Sequence, residues 1–163
     1  MPKDLLSIYV VGSLIVTIGC SGASDQNSSA NGVFNVVADD EEMGAAIKKA
    51  KGTFSFFESN WKTMKNDGYS IKLALPTVDG DPEHIWFSPI SINGDEIVGQ
   101  CANDPVKIPN LKAGDVRTVS REDVSDWMIV VGNQCYGGYT IRVLSERDPS
   151  AAPPFDFVDP PAQ

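Results

Sequence analysis

The sequence predicts an α+β fold: one long N-terminal amphipathic helix packed on a curled, mainly antiparallel sheet of about six strands, a sheet that further curling would make a small open barrel. Three observations carry this expectation. Met43, Ile47, Ala50, Phe54, Phe57 and Trp61 recur at intervals of 4, 3, 4, 3 and 4, which is one apolar stripe of a helix. Tyr69, Ile71, Leu73 and Leu75 alternate with Ser70, Lys72 and Ala74, the period of a strand with one buried face. Finally, three short apolar runs at residues 116–119, 128–131 and 139–144 are parted by a polar bend and by a turn rich in glycine and asparagine.

The chain of 163 residues divides into four stretches: 1–19, 20–32, 33–146 and 147–163. The first reads as an export signal, a minimal positive start followed by an apolar run from Leu5 to Ile18. That run is about 14 residues, short of the roughly 20 needed to span a bilayer. Gly19-Cys20 closes it, and Val16-Thr17-Ile18-Gly19-Cys20 resembles the lipobox of bacterial lipoproteins, with Thr17 where leucine is commonest. The resemblance implies that Cys20 receives a diacylglycerol, with fatty acids such as palmitate, and becomes the new amino terminus. The other readings are an uncleaved anchor and an ordinary signal peptide with a chance cysteine. Residues 20–32 contain no large apolar side chain and form the expected tether, and Ser21 after the cysteine resembles the outer-membrane sorting rule of enteric-type lipoproteins.

In the domain at 33–146, the helix opens on Asp39-Asp40-Glu41-Glu42, whose carboxylates cap and complement the positive end of its dipole. Asn66-Asp67-Gly68 stops it. The first strand ends at Pro76, a second covers residues 84–92, and Asn93-Gly94 predicts a type I′ hairpin into residues 96–101. A loop over residues 102–113 carries Pro105 and Pro109. Strands at 116–119, 128–131 and 139–144 complete the sheet, and in the last of them Arg142 is expected to point away from the face of Ile141 and Val143. The Pro-rich stretch at 147–163 reads as a disordered tail.

A net charge of -9 with scattered Lys and Arg excludes nucleic acid as an expected partner, since phosphate binding needs clustered cations. A single histidine, His84, cannot build a multi-histidine metal site, and no metal-ligand motif, nucleophile elbow or phosphate loop is present. No metal, cofactor or catalytic set is therefore predicted. With Cys20 consumed by lipid, Cys101 and Cys135 form an even pair in an oxidising compartment, and a disulfide between them is expected.

Gly114-Asp115-Val116, Asp126-Trp127-Met128 and Gly137-Gly138-Tyr139-Thr140-Ile141-Arg142 together resemble the signature of the bacterial YegJ-like family, domain of unknown function 2314. The segment around Glu83, His84 and Trp86 resembles it as well. The resemblance implies a shared fold and a bacterial source and carries no reaction. His84, Trp86, Asp126, Trp127, Gly138, Thr140 and Arg142 are accordingly the candidate binding or fold-signature residues. Trp127 is expected in the core, with Asp126 and Arg142 chiefly supporting the fold.

The expected function is a non-catalytic module, lipid-anchored on the periplasmic or cell-surface side of a bacterial membrane and binding an envelope protein, glycan or small molecule. The alternative is an envelope enzyme built on Asp126, Arg142 and His84. A concave pocket gathering those three would favour the enzyme, whereas a closed surface with Asp126 held by its own turn would favour the module.

Overall fold

The computed structural model describes residues 15–18, 33–36 and 40–161. Most of the expected leader, Cys20 and the tether lie outside the described residues. Two short strands come from the amino-terminal stretch, β1 (Ile15–Ile18) and β2 (Val33–Val36).

The first helical stripe is where it was predicted, but it is carried by two helices, α1 (Glu41–Gly52) and α2 (Phe54–Asn60), rather than one long one. Asp40 is the N-cap, its carboxylate accepting the Met43 N–H at 3.0 Å. The break falls at Gly52-Thr53. Glycine is a weak helix former, and the Thr53 hydroxyl turns back to the Lys49 carbonyl (2.9 Å) and contacts the Tyr139 hydroxyl (3.1 Å). The stripe survives the break because Ala50, Phe54, Phe57 and Trp61 all stay buried on one side.

Residues 40–161 contribute seven strands: β3 (Gly68–Leu75), β4 (Glu83–Asn93), β5 (Glu96–Cys101), β6 (Val116–Ser120), β7 (Val124–Val131), β8 (Gln134–Gly137) and β9 (Asp156–Val158). They form one open sheet in the order β6-β5-β4-β3-β7-β8-β9, antiparallel except for the last pair. The β4–β5 hairpin pairs Asn93 with Glu96, so its connection is Gly94-Asp95 rather than Asn93-Gly94. Of the two, Gly94 alone has positive φ (62°), which suits a type II′ turn better than the expected I′.

Two expectations fail in the carboxyl-terminal part. Residues 139–144, read as the last strand, belong to a helix, α3 (Tyr139–Arg147), and the strand beside β7 is β8, within the stretch read as a turn. The tail read as disordered is placed through residue 161 and adds β9, which pairs in parallel with β8.

Both faces of the sheet's centre are covered. Along β7, Trp127 and Ile129 enter the main core under α1 and α2, while Met128 and Val130 join Cys135 in a second core with Trp86, Ile141, Phe155 and Phe157. Alternation along the strand explains the split. Cys101 and Cys135 are free and buried in different cores, so the expected disulfide is not made. Their strands, β5 and β8, stand four places apart in the sheet order at about 4.8 Å per place, against a Cα reach of about 7 Å for a bridge.

Candidate functional site

On the second face, β3, β4 and β7 bring a set of polar side chains into the interior. Lys72 lies opposite Trp86 on one side and Asp126 on the other, and Ala74 lies opposite His84. The register slips between Lys72 and Leu73, so Ser125 is an extra residue on β7. This bulge returns Val124 to the main core while Asp126 faces the other way.

The network runs through Thr140 at the start of α3. Lys72 Nζ donates to Thr140 Oγ1 (2.8 Å), and Thr140 Oγ1 donates to Asp126 Oδ2 (2.6 Å). The same carboxylate accepts the backbone N–H groups of Trp127 (2.8 Å), Tyr139 (3.1 Å) and Thr140 (2.8 Å). Asp126 thus does for α3 what an N-cap side chain ordinarily does, from thirteen residues away. Gly138, with φ 62°, stands at the N-cap position itself and offers no side chain. The Lys72 ammonium also sits 4.8 Å from the centre of the Trp86 ring.

His84 Nδ1 is 2.8 Å from Ser125 Oγ, which gives its hydrogen to the Lys72 carbonyl (3.3 Å). Burial, followed by the Lys72 charge, pushes the imidazole down to about 4. Burial pulls the Lys72 amine down to about 8 against the attraction of Asp126. The Asp126 carboxyl is held above its ordinary range by burial, opposed by Lys72 and by the Thr140 hydrogen bonds. Lys72 is 1% exposed, Asp126 0% and His84 5%, so the network is closed to solvent.

Arg142 stands apart from it. Its guanidinium donates to the Gly137 carbonyl twice (3.1 and 2.8 Å), to the Val158 carbonyl (2.9 Å) and to Asp159 (2.6 Å), with the Tyr139 ring 4.7 Å away. It therefore clasps the tail to the end of β8. Contrary to the expectation of a strand residue, it lies on a helix, and its direction follows helical geometry. Trp127 is fully buried as expected, with Nε1 donating to the Ala50 carbonyl at 3.0 Å. Gly137 and Gly138 both have positive φ (79° and 62°), and a Cβ on Gly137 would lie 2.2 Å from the Trp127 carbonyl oxygen. On Gly138 it would press on Phe157 at 3.1 Å and Cys135 at 3.3 Å.

The three residues of the enzyme alternative are thus not gathered in one cavity. A groove of about 590 Å³ on the described surface is lined by Lys51, Phe54, Asp95, Arg121, Glu122, Asp123 and Val124, none of them in the network. Its cations are engaged, Arg121 in a two-pronged pair with Glu58 and Lys51 with the Glu122 carbonyl.

Sequence reasoning missed Lys72, Ser125 and Glu83. Lys72 sat at a position that alternation assigns to solvent, and nothing local reveals that Thr140 of α3 and the Trp86 ring lie against it. Glu83, fully buried, accepts the N–H groups of Val106 (2.6 Å) and Lys107 (2.8 Å), fastening the proline-containing loop to β4. The resemblance at Glu83-His84-Trp86 was the available signal.

The chain is 32% identical over 106 residues to the uncharacterized protein YegJ of Escherichia coli K12, covering 65% of this chain and 69% of that one. It is 31% identical over 145 residues to a putative ankyrin repeat protein of Neisseria meningitidis serogroup B, covering 78% of this chain and 57% of that protein. No solved structure matches. Residues 40–151, which hold the network, α3 and both glycines, match the family described as "Uncharacterized protein conserved in bacteria", and the chain belongs to this family, DUF2314.

Proposed function

We propose that the protein is a non-catalytic interaction module of the bacterial envelope, carried on a lipid at Cys20 and presenting its folded surface to an envelope protein, glycan or small molecule. The observation that carries the non-catalytic part is how the signature residues are spent. Asp126 holds the start of α3 with its carboxylate, Arg142 holds the tail, Trp127 fills the core, and Gly137 and Gly138 admit the turn between them. A general acid or base must reach a proton on substrate, whereas Asp126 is fully buried and the Arg142 guanidinium is taken up by the Gly137 and Val158 carbonyls and Asp159. The anchor rests on the short apolar run that ends in Gly19-Cys20 and on the tether behind it. Among the described residues no helix is long and apolar enough to cross a membrane.

Two measurements test the reading. Cells fed labelled palmitate should yield a labelled mature protein whose first residue is Cys20, and Cys20→Ser should leave an unlabelled precursor. Photo-crosslinkers placed at exposed Val106 and Val116 should give a discrete adduct in intact cells. A mature protein that carries no fatty acid removes the anchor. A surface that yields no adduct, together with a stably folded Asp126→Asn variant that loses a turnover shown by the parent, removes the module in favour of the enzyme.

A further inference from the structure

We infer that β1 and β2 are alternative occupants of one place on the sheet: when the chain is cut ahead of Cys20, β2 moves in by one strand and pairs with β4 where β1 had been. The inference rests on the processing proposed above, and it says which residues become the first strand of the mature domain.

Ile15–Ile18 lies inside the stretch that processing removes, yet it is paired with the folded domain. Val16 stands opposite His84 and Thr17 opposite Glu83, antiparallel. β2 pairs with β1 in parallel, Val16 beside Phe34 and Thr17 beside Asn35. A strand parallel to β1 is antiparallel to β4, so β2 already runs in the direction that the vacated place requires. Its length is the same, four residues.

The rest of that edge of β4 is filled. β5 pairs with Phe87 to Asn93, the Ala102 N–H meets the Trp86 carbonyl at 2.8 Å, and the Trp86 N–H meets Asn103 Oδ1 at 2.9 Å. Glu83 and His84 are the positions left to β1. Among the described residues β2 has no strand partner but β1. Cleavage would therefore leave two unpaired edges, on β2 and at Glu83-His84, each carrying backbone groups that need partners. Joining them requires a step of about 4.8 Å, one inter-strand spacing. Residues 37–39 alone separate β2 from Asp40, the cap of α1, which keeps β2 within a reach of roughly 14 Å of the helix start. The transferred register puts Phe34 opposite His84 and Asn35 opposite Glu83. Residues 20–32 then remain as the link between lipid and sheet, so the domain hangs from the membrane by the Glu83 side of β4.

The test uses full-length chains in cells, with the cut form recognised by mass and by its fatty acid. In cleaved protein from membranes, Phe34→Cys with His84→Cys should form an intramolecular disulfide on mild oxidation, at least tenfold more than the out-of-register control Asn35→Cys with His84→Cys. In the uncut Cys20→Ser chain, Val16→Cys with His84→Cys should form instead. His84 is packed against Ser125, so hydrogen exchange on the parent provides a reading free of substitutions at that site. There the Val33–Val36 amides of the cleaved protein should exchange at least tenfold more slowly than those of residues 21–32. Cleaved, acylated protein with no 34–84 bond and unprotected Val33–Val36 amides overturns the strand replacement and leaves the anchor standing. A chain that is never cut at Cys20 overturns both, and is recognised by intact mass without fatty acid.

Discussion

Asp126 shows how one side chain decides a local fold. Its carboxylate takes three backbone N–H groups and the Thr140 hydroxyl, with Lys72 behind, and is fully buried. Asp126→Asn exchanges a charged acceptor for an amide that must point an NH₂ at one of those donors and leaves the Lys72 charge uncompensated. The expected cost is about 3 to 5 kcal/mol, read as a fall in the urea midpoint at pH 7. An unchanged midpoint would show that the carboxylate is dispensable to folding. Gly137→Ala should cost about 2 to 5 kcal/mol, from the positive φ and from the overlap with the Trp127 carbonyl together. Parental stability there would require β8 to end differently from the way described. The two cysteines differ in kind from such residues: burial raises both thiols, Cys135 to about 12, so they are packing groups with little thiolate to react.

Among the elements, α3 and β9 depend on contacts that no local pattern announces. Tyr139, Thr140, Ile141 and Val143 favour a strand by propensity, and a helix forms because Gly138 turns the chain and Asp126 satisfies the first free N–H groups. β9 is three residues long, and Arg142 bridges its Val158 carbonyl to that of Gly137. Arg142→Lys keeps the charge and loses the planar fork. It should cost about 1.5 to 3 kcal/mol locally and speed amide exchange in Asp156–Val158 by more than tenfold, with β3 and β7 unaffected. Equal speeding across the whole sheet would mean that the clasp supports global rather than tail stability.

For the whole molecule, the closed network gives stability a pH dependence of definite sign. His84 takes a proton near 6.5 when unfolded and only near 4 when folded. Between those values the unfolded chain binds more protons, so stability falls as pH drops, by about 3 kcal/mol across the window. Asp126 works against this, since its raised folded value lets the folded state take up a proton earlier. Lys72 acts at the other end: its amine falls from 10.5 to about 8 on folding, so stability rises as pH climbs through that range. Urea titrations at pH 7 and 5 should show the acid loss in the parent and a smaller one in His84→Asn. An equal loss in both would place the acid sensitivity elsewhere.

The sequence by itself determined what short-range periodicity records. The apolar stripe from Met43 to Trp61, the alternating strand at Tyr69 to Leu75, the central hairpin, a cap at Asp39 or Asp40 and the buried Trp127 were all legible, because each follows from spacing, turn chemistry or side-chain character within one segment. The family was legible from three clustered motifs. Only the tertiary structure decided that the stripe breaks at Gly52-Thr53, that residues 139–144 coil rather than extend, and that the tail adds a strand. It also decided that Lys72 is interior. The reason is common to all of them: each depends on a partner distant in the chain, Tyr139 for Thr53, Asp126 for α3, Arg142 and β8 for β9, and Thr140 of α3 for Lys72. A local pattern states what a segment prefers, whereas packing against a second layer decides which preference is realised and whether the far face of a strand meets water.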